Sequence, residues 1–272
     1  TTFGFPPLKD YIPDKDDLLV ERCRNEGAIS VGKTNVPEFG AGSQTFNEVF
    51  GATLNPYDRT KTCGGSSGGA AVALACRMVP IADGSDLGGS LRNPANFCNI
   101  VGFRPSPGRV PTLSKMGWSP LVVEGPMART VEDTALFLTA LAGFDARSPI
   151  ALSEPGTCFS EPLKRDFKNV KIAWSQNLGG LPVEAGVTRV IESQRRTFED
   201  LGCIIEDKEL NFQGADKVFK VLRALNSATV LGDIYKSHRD QLKDTIISNI
   251  EEGLELNAED IGKAEVQKTL QY

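Results

Sequence analysis

Histidine occurs once in these 272 residues, at His238. That scarcity removes the commonest general base and the commonest nitrogen ligand for metals. His238 lies in "YKSHRDQLKD", a charged stretch that reads as a solvated helix, so a serine–histidine–aspartate triad in any order finds no support. The 6 cysteines, at 23, 63, 76, 98, 158 and 203, form no CxxC pair, which argues against a zinc site. Scattered through a chain of this length, they read as reduced thiols of a cytoplasmic protein. Apolar runs are too short for a membrane span, and "TTFGFPPLKD" is not a signal peptide. Charge is balanced, 30 basic against 35 acidic residues for a net of −5, and no basic block occurs. Nucleic acid and anionic membranes are therefore not expected partners.

What is present is an alternation of helical and strand patterns. "DKDDLLVERCRNEG" (14–27), "GGAAVALACRM" (68–78), "SLRNPANFC" (90–98) and "TVEDTALFLTALAG" (130–143) read as helices. "AISVG", "VPIADG", "VKIAWS" and "CIIEDKEL" read as strands, with one helix from Val183 to Gly202 between the last two. From Phe212 the pattern is helical to the end, with a break expected at Gly253. Residues 35–65, rich in Gly, Asn, Thr and Pro, read as a long ordered loop of the kind kept for function. The expectation is one α/β domain over 1–272, a central mixed sheet with helices on both faces.

Two glycine clusters carry serines. Ser66 and Ser67 sit in "GGSSGG", and Ser90 follows in "SDLGGS", 24 residues after Ser66. Leu87, Gly88, Gly89 and Ser90 fall at an expected helix start, where backbone N–H groups point outward and small residues admit a substrate. Those features suit an oxyanion hole beside a serine nucleophile, Ser90. With His238 set aside, a lysine of lowered pKa is the base such a serine could use. "GAISVGKT" (27–34) fits the phosphate-loop string, but a helix precedes it and Pro37 follows it, so nucleotide binding is not expected.

The run "GGSSGG" with "GSDLGGSLRNPANFCNIVGFRPSPGRVP" closely resembles the signature region of the amidase signature family. "LVERCRNEGAISVGKTNVPEFG", "FGATLNPYD" and "EGPMARTVEDTALFLTALAG" are similar to further segments of that family, covering at least residues 8–143. The resemblance implies the amidase signature fold, incomplete at both ends, and a Ser–Ser–Lys triad that hydrolyses carbon–nitrogen amide bonds through an acyl-enzyme. By it Ser90 is the nucleophile and Ser66 the bridging serine after a cis peptide at Gly65. Leu87, Gly88 and Gly89 supply oxyanion amides, Ser67 supports by hydrogen bonding, and Arg92 braces the loop. The family's lysine strand matches nothing in this numbering, and Lys9 and Lys33 are poor stand-ins. Together with Thr1 and the helical end, this raises the expectation of a piece of a longer protein. Cys63 and Ala70 depart from the family's usual residues and leave the subfamily open.

No metal or organic cofactor is implied. The expected partner is a small-molecule amide, with a homodimer left open. Alternatives are the A subunit of a tRNA-dependent amidotransferase, from whose usual continuation "TLSKMGW" departs, and a non-catalytic family member lacking the lysine.

Overall fold

Asp17 starts the first helix, α1 (Leu18–Asn25), by accepting the Leu19 N–H on its carboxylate. Thr130 does the same for α4 (Val131–Leu141), taking the Asp133 N–H at 3.0 Å. Arg22 on α1 then closes the far end of α4. Its guanidinium donates to the carbonyls of Leu141, Ala142, Gly143 and Phe144, acceptors that a helix C-terminus leaves open.

The computed structural model describes residues 1–271 and divides into two units, Thr1–Pro162 with His238–Ile246, and Leu163–Ser237 with the described residues from Ile247 onward. In the first, β3 (Ile81–Asp86), β4 (Val101–Gly102) and β5 (Val123–Ala128) form an antiparallel sheet in the order β3-β5-β4. A short hairpin, β1 (Phe46–Asn47) and β2 (Gly51–Ala52), lies within the long loop region. The sheet's two faces follow from strand alternation. Met127 joins Leu74 of α2 (Gly68–Ala75) and Leu91 and Cys98 around α3 (Arg92–Cys98) in one core. Ile81, pointing the other way, packs with Leu19, Phe137 and Leu141. Helices thus cover both faces, as expected of an α/β fold.

Gly84 is what lets α2 and α3 lie this close to β3. A Cβ there would come within 2.6 Å of Ser67 Oγ, 2.8 Å of Leu91 Cδ2 and 2.9 Å of Met127 Sδ. Gly84→Ala is expected to destabilise by about 1–3 kcal/mol through overpacking. A lower denaturation midpoint at unchanged slope would report it, and an unchanged midpoint would show that the site yields freely.

In the second unit β6 (Lys171–Trp174) and β7 (Ile204–Asp207) pair in parallel, joined through α5 (Ala185–Ser193) and α6 (Arg195–Asp200). The single helix read between them is therefore two, parted at Gln194. Three helices follow, α7 (Ala215–His238), α8 (Asp244–Glu255) and α9 (Ala258–Leu270). Gly253 is not the expected break but sits inside α8. Its bare Cα faces the Ala224 carbonyl on α7, which an added Cβ would approach to 2.1 Å. The actual interruptions fall at 239–243 and at Asn257, which caps α9 with a reciprocal Asp260 bond.

One expected strand is missing. Residues 28–32 form no strand, and Ile29 and Val31 are 88% and 79% exposed. Apolar alternation makes a strand only where a neighbour supplies the ladder, and none of the described residues does.

Candidate active site

The two serine clusters meet. The Ser67 N–H donates to the Ser90 carbonyl at 3.2 Å, joining the turn before α2 to the turn before α3. Ser67 Oγ also bonds to the Ser85 N–H and carbonyl on β3, so it braces the turn against the sheet. Ser66 and Ser67 are buried, Ser90 only half so. The Gly65–Ser66 peptide is cis. Thr45, from the long loop region, lies under this turn, its hydroxyl 2.9 Å from the Gly64 carbonyl and 3.2 Å from the Gly68 nitrogen. A second strut comes from Asn35, whose carbonyl accepts the Gly69 N–H at 3.2 Å. Asn47 in turn fixes Asn35, donating to its side chain at 2.6 Å. The long loop thus serves as the platform of the serine turns.

Leu87 to Ser90 do not form the first turn of a helix, because α3 starts only at Arg92. They form a tight turn between β3 and α3, held by a residue that the motif reading passed over. Asp86, the last residue of β3, is fully buried. Its Oδ1 accepts from the Gly89 N–H at 2.9 Å, Arg92 Nη2 at 3.0 Å and Arg104 Nη1 at 2.9 Å. Its Oδ2 accepts from the Leu91 N–H and Arg92 Nε, both at 3.1 Å. Arg104 additionally bonds to the Asp86 carbonyl and, through Nη2, to the Leu121 carbonyl at 3.0 Å. Burial pushes the Asp86 carboxyl up. Hydrogen bonds from Arg92, Leu91 and Gly89, with the Arg92 charge, outweigh that and bring its pKa to about 2. The signal was the bare acid in "GSDLGGSLR", with an arginine six residues on, but a turn anchor and a catalytic acid look alike in sequence.

Wrapping around one carboxylate sets the fate of each amide. Gly89, at φ +121°, takes a conformation that disfavours a side chain, and its N–H is committed to Asp86. The N–H groups of Leu87, Gly88 and Ser90 make no hydrogen bond among the described residues. Arg92 reaches back across the turn to Asp86, with its side chain 57% exposed beyond the contact. Arg104, at 23%, is the more desolvated of the two cations.

Other residues singled out in the sequence lie apart from this arrangement. Lys9 is exposed, and Lys33 Nζ donates to Thr1 Oγ1 at 2.9 Å. Residues 27–34 carry no strand–loop–helix, so no phosphate cradle forms there. His238 is half-buried instead of solvated, its ring edge-on to Phe5 at 5.9 Å. All 6 cysteines are free thiols. Among the described residues no helix is long and apolar enough to cross a membrane.

Comparison with known proteins gives this geometry its context. An acylamidase of Rhodococcus erythropolis is 34% identical over 271 residues, 97% of this chain and 56% of the relative. The A subunit of the glutamyl-tRNA(Gln) amidotransferase of Coxiella burnetii is 38% identical over 211 residues, 77% of this chain and 44% of the relative. The chain spans about half the length of the curated relatives it matches. Among solved structures, a bacterial aryl acylamidase of the amidase signature enzymes superposes with a TM-score of 0.90 at 30% identity, over 98% of this chain and 57% of the other. The Amidase family model aligns with residues 1–259, a stretch that contains both serine turns, their Asp86 anchor and the platform beneath them: the chain belongs to the Amidase family.

Proposed function

We propose that the protein is an amide hydrolase working through an acyl-enzyme on Ser90. The observation that carries this reading is the Ser67–Ser90 backbone bond, which sets the two serine turns side by side. Ser90 Oγ attacks the amide carbonyl carbon and passes its proton to Ser66 Oγ, as the Ser66 proton moves to a neutral lysine. The resulting oxyanion takes hydrogen bonds from the Leu87, Gly88 and Ser90 amides, whereas the committed Gly89 N–H holds the turn. As the carbon–nitrogen bond breaks, the relay returns the proton to the leaving amine. Water then adds to the ester carbonyl, the Ser90–carbon bond breaks, and the carboxylic acid leaves. No lysine of the chain is assigned to that role: Lys9 is exposed, and Lys33 Nζ donates to Thr1 Oγ1.

Likeness to acylamidases supports an aryl amide as the first substrate to test. A cytoplasmic location fits the free thiols. A fluorophosphonate probe added to the intact gene product is expected to form an adduct on Ser90, located by peptide mass spectrometry. An adduct elsewhere, or none, would overturn the assignment.

Identity to the amidotransferase chain supports a second reading, an A subunit that works only with partner proteins and tRNA. Turnover of an aryl amide by the isolated gene product separates the two.

A further inference from the structure

Thr45 is fully buried and sits 21 residues before Ser66, on a different segment. Its hydroxyl meets three backbone groups that bracket Ser66. It donates to the Gly64 carbonyl at 2.9 Å, lies 3.4 Å from the Ser66 carbonyl, and accepts the Gly68 N–H at 3.2 Å. The contact is tight. A Cβ on Gly68 would come within 2.2 Å of Thr45 Oγ1 and 2.8 Å of its Cβ. A Cβ on Gly65 would come within 2.9 Å of the neighbouring Gln44 nitrogen. Residues 44 and 45 are thus the floor on which the Gly64–Gly68 turn rests. The Gly68 N–H belongs to the first turn of α2, where a donor has no intrahelical acceptor. One hydroxyl therefore fixes the carbonyl before the cis peptide and the amide that follows the two serines.

We infer that Thr45 is a positioning residue for the Ser66 relay, a role that rests on the hydrolase reading above. Thr45 touches neither substrate nor the reacting atoms. By holding both ends of the turn it sets the direction of Ser66 Oγ, and with it the delivery of a proton to the leaving amine. An amide needs that proton because an amine anion is a very poor leaving group. An ester with a nitrophenolate leaving group does not, since that anion departs unprotonated. Loss of the Thr45 hydroxyl should therefore harm amide turnover more than ester turnover.

The test compares kcat/KM for an aryl anilide with that for the matching nitrophenyl ester, on one preparation of the intact gene product. Misfolded molecules lower both values equally and drop out of the ratio. Thr45→Val, which swaps the hydroxyl for a methyl, is expected to lower the anilide-to-ester ratio by roughly 10-fold or more. Thr45→Ser should restore the ratio to within about threefold of the parent, on the same proton-transfer scale. A ratio unchanged in Thr45→Val, with the parent active, overturns the inference and leaves the hydrolase reading intact. If Thr45→Val gives no folded protein, Thr45→Ala is read the same way, and an unchanged ratio there overturns the inference equally. A parent inactive on anilide and ester alike overturns the hydrolase reading, and the positioning role falls with it.

Discussion

Ser90→Ala is expected to lower kcat for an aryl amide by on the order of 10³-fold or more, with KM little changed. The Ser90 carbonyl, not its side chain, receives the Ser67 N–H, so truncation leaves the join between the two turns in place. Substrate should still bind, and the three unengaged amides should still polarise its carbonyl. What disappears is the covalent step. Steady-state kinetics, with a pre-steady-state trace to see whether the acylation burst vanishes, check the expectation. A variant that keeps more than a tenth of the parent's kcat would show that another group attacks.

The largest effect on stability is expected at Asp86. Removing a buried, paired carboxylate strands its partners, and such losses cost about 3–5 kcal/mol. Asp86→Ala would leave two guanidiniums and the Gly89 and Leu91 amides without their common acceptor. Arg104 is expected to matter more than Arg92, because an ion pair with a largely exposed cation is screened by water. The same geometry fixes a pH dependence. The folded pKa, about 2, lies below the ordinary 3.8, so the charged form is favoured by folding. That contributes about 2 kcal/mol, fully present above pH 4 and lost as pH falls through the folded value near 2. Denaturant titrations of the parent and Asp86→Asn between pH 5 and pH 2.5 would test it. The parent's advantage should shrink toward acid, and an advantage independent of pH would show that shape rather than charge holds the turn.

Helix ends were the most legible part of the fold, because their signals are local. Asp17, Thr130 and the acids after Thr130 mark starts that the structure keeps within a few residues. Strands were less so. β5 escaped notice since "VEGPMA" carries a glycine and a proline, residues that speak against a central strand. It survives there because Pro126 is needed only as an acceptor: its carbonyl takes the Phe103 N–H at 3.1 Å, just past the two paired residues of β4, and no partner calls on the N–H it lacks. Conversely, "AISVG" has the composition of a strand and no neighbour to make it one. In the site, Ser66, Ser67, Ser90 and Arg92 could be named from the glycine clusters and the family resemblance. Asp86, Arg104 and Thr45 could not. Arg104 and Thr45 act in contacts across 18 to 23 residues of sequence, which nothing in an isolated Arg or Thr announces. Asp86, most of whose partners lie 3 to 6 residues on, reads in sequence as either a turn anchor or a catalytic acid.

The glycine within α8 bears on how this protein could be engineered. Glycine is the weakest ordinary helix former, about 1 kcal/mol worse than alanine in a helix interior. A scheme that raises thermostability by exchanging helical glycines for alanine would put Gly253 near the head of its queue. At that position the missing methyl is the space in which the Ala224 carbonyl lies. Alanine would gain helix propensity and lose the close crossing of two helices, so that a substitution favoured by every local measure would work against the packing it was meant to strengthen.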